Sequence, residues 1–192
     1  MPYFELIREF RHSIRIWLND MPMDALLSNE TTHERRIFNS GTTTVLQKRI
    51  AVEIFQPYGS MFHHGLLGGE YQPIDGNKLE VIVPVDTPFP KQHYTNAFAS
   101  PRLDTVMVGG LPEYTDAIFN GIEKVETNNR PCGVLNITCM THGEVYSAPV
   151  VFNWLAWALL HLLSQSDQPA LLDEAIALLS ESGVQSIHSL SP

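Results

Sequence analysis

The sequence predicts an α+β fold, and three observations carry that expectation. Segments at 43–55 and 79–85 alternate apolar and polar residues with the period of a strand. At Gly109-Gly110 the period changes from two to 3.6. The strands come mostly first and the helices after. A chain of 192 residues, 44% of them hydrophobic, can bury one self-sufficient core. Its 17% of charged residues sets it apart from disordered chains.

Residues 3–18 carry two patterns at once. Phe4, Leu6, Phe10, Ile14, Ile16 and Leu18 share one parity, as a strand requires, while Ile7, Phe10, Ile14, Trp17 and Leu18 fit a helical stripe. Both readings stand, with the strand preferred. Residues 20–42 are punctuated by Asp20, Pro22, Asn29, Asn39 and Gly41, with a short helical turn expected at Met23–Leu27. The first 42 residues are accordingly read as an N-terminal extension, and 43–192 as the domain proper.

The β-branched run at 43–55 reads as a strand, with Ile50, Val52 and Ile54 alternating with Arg49, Ala51 and Glu53. Residues 56–77, rich in glycine, read as a loop. Leu79, Val81, Val83 and Val85 line one face of the next strand, which Pro84, Pro88 and Pro90 bring to an end. A long loop at 86–101 and a strand at 103–108 follow.

Tyr114, Ala117, Ile118, Gly121, Ile122 and Val125 then form an amphipathic helical stripe, opened by Pro112 at a position where a first turn tolerates proline. Gly121 lies on the buried side of that stripe, which costs helix propensity. A close approach of the helix backbone to the sheet would account for it. A strand from Gly133 is expected to place Leu135, Ile137 and Cys139 on one side, with a turn at His142-Gly143 and a return strand at 144–147. The segment 149–164 is apolar nearly all round and reads as a covered helix. Residues 169–180 read as a third helix with Leu171, Leu172, Ile176 and Leu179 on one face, followed by a loose tail after Gly183.

Charge excludes some functions. Residues 1–50 hold seven Lys and Arg against six Asp and Glu, whereas residues 51–192 hold five against fifteen, for a total of −9. An acidic body is repelled by phosphate backbones, so general nucleic-acid binding is not expected. The longest apolar run, 150–163, is shorter than the ~20 residues of a spanning helix, and no membrane association is expected. Cys132 and Cys139 would sit about 20 Å apart on a strand, too far for a disulfide. Reduced thiols suit a cytoplasmic protein.

The chemistry-bearing residues are few. His63-His64 falls in the glycine-rich stretch that ends at Glu70, and adjacent imidazoles can ligate a metal or exchange protons near neutral pH. Folding could bring Glu70, His93, His142, Cys132 or Cys139 to them. None has the spacing of a metal motif, and the alternative for each histidine is an ordinary surface or core position. No cofactor or nucleotide motif is present, and no Gly-x-Ser-x-Gly. Trp154, Trp157 and His161 share one helix face, as an aromatic pocket or as core packing. Leu171, Ile176 and Leu179 offer a seam for a homo-oligomer.

Gly109, Gly110, Leu111, Pro112, Tyr114, Ala117, Gly121, Ile122, Gly133, Ser147 and Phe152 together resemble domain IV of translation elongation factor G. That resemblance covers about 45 residues closely and about 120 loosely. It implies the ribosomal protein S5 domain 2-like fold, a sheet with two helices packed on one side. The family's hairpin His and Asp are missing here, and the GTPase domain is absent, so the resemblance implies an architecture and not translocase activity. Two functions are expected from the whole reading. One is a non-enzymatic binding or assembly module with a protein partner or a second copy of itself. The other is a small hydrolase or metal-assisted enzyme built on His63 and His64.

Overall fold

In the computed structural model, which describes residues 3–8, 12–28, 32–41, 45–58, 61–86, 92–99 and 102–164, a mixed sheet is covered on one face by two helices. In chain order the elements are β1 (Tyr3–Arg8), β2 (His12–Leu18), β3 (Thr32–Asn39), β4 (Lys48–Tyr58), β5 (Met61–Pro73), β6 (Lys78–Asp86), β7 (Val106–Val108), α1 (Pro112–Lys124), β8 (Gly133–Gly143) and α2 (Pro149–Ser164). The strands lie in the order β1-β2-β4-β5-β8-β6-β3, and β7 pairs with the far end of β8. Among the described strands only β6 and β8 pair in parallel, and the connection between them carries α1, as a parallel crossover requires.

The alternation in β4 sets the two faces. Ile50, Val52 and Ile54 join the core beneath the helices, with Leu67, Leu79, Val81, Leu135 and Ile137 from neighbouring strands. Each such side chain contributes about 1.5–3 kcal/mol on full burial. The first helix covers β6 and β3, the second covers β5 and β4, and the two pack on each other. With the sheet beneath it and α1 at its side, α2 needs apolar residues nearly all round. The opposite face carries a second core of Trp17, Ala51, Phe55, Leu66 and Cys139, sealed by the segments around Met21–Ala25 and Tyr94–Ala99.

Residues 3–8 and 12–18 form two antiparallel strands, which decides for the preferred strand reading. Other expectations change. The described strands before residue 42 join the same sheet as those after it: β2 pairs with β4 and β3 with β6, toward its two edges. The strand β3 was hidden by its charge. At an edge it needs only one half-buried face, and Arg36 stacks over Phe119 at 4.3 Å while pairing with Asp116 at 2.6 Å.

The glycine-rich stretch expected as a loop is the long strand β5. Its glycines sit where neighbours leave no room: a Cβ on Gly65 would stand 2.9 Å from Val151, and one on Gly68 2.5 Å from Ala51. Near Gly68 the pairing with β8 slips by one residue, Gly68 opposing Cys139 and Gly69 opposing Ile137. That bulge turns Cys139 away from Leu135 and Ile137 and into the second core.

No return strand forms at 144–147. The chain turns there instead, held by the buried Asp104 carboxylate, which accepts the Val145 and Tyr146 N–H groups at 3.0 Å each. The strand expected over 103–108 is confined to β7. The third helix at 169–180, with Leu171, Leu172, Ile176 and Leu179, lies outside the described residues.

Candidate functional site

One cluster of ionisable side chains is gathered and sealed by the fold, and Glu53 is its centre. On β4 the residue lies between Ala51 and Phe55 on the second face, and it is 0% exposed. A buried carboxylate is costly unless several donors reach it. Three do. Arg15 stands directly across from it on β2, and its Nη1 lies 3.2 Å from Oε2. His64, on β5, places Nε2 at 3.1 Å from Oε1. The Phe98 backbone N–H donates to Oε1 at 2.9 Å.

The same arginine ties down the covering segment, residues 92–99. Its Nη1 donates to the Asn96 carbonyl at 3.0 Å, and its guanidinium lies over the Phe98 ring at 4.3 Å. The segment's other border runs along β7, where Tyr94 N–H donates to Val106 O at 2.8 Å. Tyr94 is 3% exposed, and its hydroxyl has no partner among the described residues. Burial pushes its pKa up, and the nearby Glu53 and Asp24 carboxylates push it further.

The two adjacent histidines part company because they lie on a strand. His64 faces the Glu53 cluster, whereas His63 faces α2, its ring centroid 5.8 Å from that of Trp154. The histidine His142 lies on β8, where its Nδ1 is 2.7 Å from the Gly109 carbonyl oxygen and its ring is 5.7 Å from Tyr114. Exposed His93 makes a backbone bridge to Met107. Glu70 is spent on a cross-strand ion pair with Arg49 at 2.8 Å, six residues along β5 from His64 and so about 20 Å away. The Cys132 thiol donates to the Gly41 carbonyl at 2.6 Å, and Cys139 is fully buried with its pKa pushed well up by burial. Of the expected site residues, then, none of the other named candidates joins His64 at Glu53. Among the described residues no three His, Cys, Asp or Glu side chains are grouped to hold a metal. On the helical face of Trp157 and His161 the two rings pack in a tilted arrangement, with centroids 4.2 Å apart and planes 55° apart.

Chemically, the cluster can hold a segment of chain against the sheet. The Nε2–H of His64 is committed to Glu53, which leaves Nδ1 as the accepting nitrogen, and Nδ1 meets no partner among the described residues. With both residues 0% exposed, no substrate can reach that lone pair in this arrangement. Sequence reading missed Arg15, Glu53 and Tyr94. The available signal was Glu53 itself, an acid flanked at i±2 by the apolar Ala51 and Phe55.

Burial of His63 has a measurable consequence. Desolvation holds its pKa below the ordinary 6.5, so below about that pH the unfolded chain takes up more protons than the folded one. The stabilisation is therefore present above pH 6.5 and is lost as pH falls through the folded-state value. The melting temperature should drop between pH 7 and 5, and His63→Gln should flatten that dependence. An unchanged slope in thermal melts across this range would contradict the assignment.

Comparison of the chain with known protein families, with curated proteins and with solved structures gives no match.

Proposed function

We propose that the chain is a non-enzymatic binding or assembly module, related in fold to domain IV of elongation factor G and so of the ribosomal protein S5 domain 2-like kind. The single observation that carries the functional part is the separation of His63 and His64 onto opposite faces of the sheet, each buried. An enzyme built on the pair would need them to converge on a substrate. The structural part is supported by the layout: two helices on one face, with α1 inside the crossover between parallel β6 and β8 and with α2 directly after β8.

The partner in this reading is a protein, a second copy included, since an acidic chain of net −9 repels nucleic-acid phosphates. No described helix is long and apolar enough to cross a membrane. A reducing, cytoplasmic setting belongs to the same reading, supported by two free cysteines.

The competing hydrolase reading is tested with nitrophenyl esters and phosphates, with and without divalent cations. We expect no turnover that depends on either histidine. Turnover lost in His63→Gln or His64→Gln at an unchanged melting temperature would overturn the binding-module reading.

A further inference from the structure

We propose that the groove between residues 20–24 and Asn96 is a binding site for a basic side chain, a lysine or arginine presented by a protein partner. The inference rests on the binding-module reading and gives it a location and a partner chemistry.

The groove encloses about 280 Å³, room for one long side chain, and Arg15, Trp17, Asp20, Met21, Met23 and Asp24 are prominent in its lining. Its electrostatics follow from which charges are already matched. Arg15 is engaged by Glu53, by the Asn96 carbonyl and by the rings of Phe98 and Trp17, so it adds little positive field to the groove. Asp24 is half-buried, and its carboxylate has no hydrogen bond or ion pair among the described residues. Asp20 accepts the Met21 N–H on one oxygen at 2.8 Å, and its other oxygen has no partner among the described residues. Two aspartates thus line a concavity in a chain already at −9.

Half-burial is what makes an unmatched carboxylate informative. At the surface water would satisfy it, but beside a low-dielectric wall a cation gains more from approaching it. The walls supply the rest. Trp17, Met21 and Pro22 form an apolar channel, and Met23 stands 75% exposed at its mouth. Lysine and arginine match this pairing of apolar stem and charged head, and methionine adapts to either stem. The Tyr94 hydroxyl, without a partner among the described residues, lies in the field of the same Asp24. An anionic ligand would meet both aspartates and is disfavoured.

Acetyl-arginine amide and its neutral isostere acetyl-citrulline amide separate charge recognition from shape. Both are titrated into the full chain while the Trp17 indole N–H and the Asn96 amide are followed by NMR. The arginine compound should give saturable shifts at these two groups, and citrulline should give none. Asp20→Asn with Asp24→Asn should weaken binding about tenfold or more, as loss of charge-assisted hydrogen bonds does. The same double variant should keep the wild-type melting temperature, because asparagine retains the acceptor for Met21 N–H. Equal binding of citrulline, or full affinity in the double variant, overturns the proposal. Saturable shifts confined to another surface overturn this groove but leave the binding-module reading standing, which only histidine-dependent turnover removes.

Discussion

Replacing Glu53 by alanine is expected to cost about 3–5 kcal/mol, the loss seen when one partner of a buried ion pair is deleted. The side chain is 0% exposed and accepts from Arg15, His64 and the Phe98 N–H. Its removal leaves a guanidinium and two N–H donors facing a cavity. A loss of that size approaches the whole stability of a marginal domain, about 5–15 kcal/mol, so a second variant is needed. Glu53→Gln keeps one acceptor oxygen and removes the charge, for an expected loss of about 1–3 kcal/mol. Denaturant melts give the two values. Hydrogen exchange at Phe98 should accelerate more in the alanine variant than exchange in β4, because the covering segment is released before the sheet. A cost below about 1 kcal/mol for Glu53→Ala would mean that water reaches the carboxylate, and the sealed-cluster description would fail.

What could be read from the chain depended on whether a local pattern had one cause or two. Both described helices were legible nearly to the residue, because Pro112 and Pro149 mark their starts, the first carries a clean 3.6-residue stripe, and the second is an apolar run too long for a strand. The strand β4 was legible for the same reason, its two faces differing in polarity. The strand β5 was not. Gly65, Gly68 and Gly69 suggest a loop to any propensity argument, and only the positions of Val151, Ala51 and Asn136 around them show that a strand requires them there. The bulge that redirects Cys139 is likewise a property of the pairing between β5 and β8 and leaves no trace in either segment alone. The site suffered most from this. Reading β5 as a loop let His63 and His64 converge, whereas a strand's period of two drives them apart. Glu53 looked like a solvated residue of a half-buried strand because the segment that covers it begins some 40 residues later, and nothing local announces that covering.

Gly121→Val is expected to destabilise the fold by about 3 kcal/mol, the upper part of the range for overpacked cores. Gly121 was expected to allow α1 close to the sheet. The structure puts the close approach elsewhere: a Cβ there would press on the Asn153 carbonyl oxygen and stand 3.0 Å from the Ala156 Cβ, both on α2. The helix crossing is also fastened by side chains, with Asn153 Nδ2 donating to the Ala117 carbonyl at 3.2 Å and Lys124 Nζ to Asn153 Oδ1 at 2.9 Å. Pushing the helices apart loses these together with the packing beneath them. Alanine at 121 isolates the effect, because in an unobstructed helix it would gain about 1 kcal/mol over glycine. We expect Gly121→Ala to lower the melting temperature, and the exposed control Asn120→Ala to leave it level or raise it slightly. Combining Gly121→Ala with Ala156→Gly should recover part of the loss and not all of it, since the Asn153 carbonyl remains in the way. A double-mutant cycle measures that coupling. Strictly additive effects would mean that α2 is not what Gly121 makes room for, whereas a positive coupling assigns the glycine to the helix–helix contact.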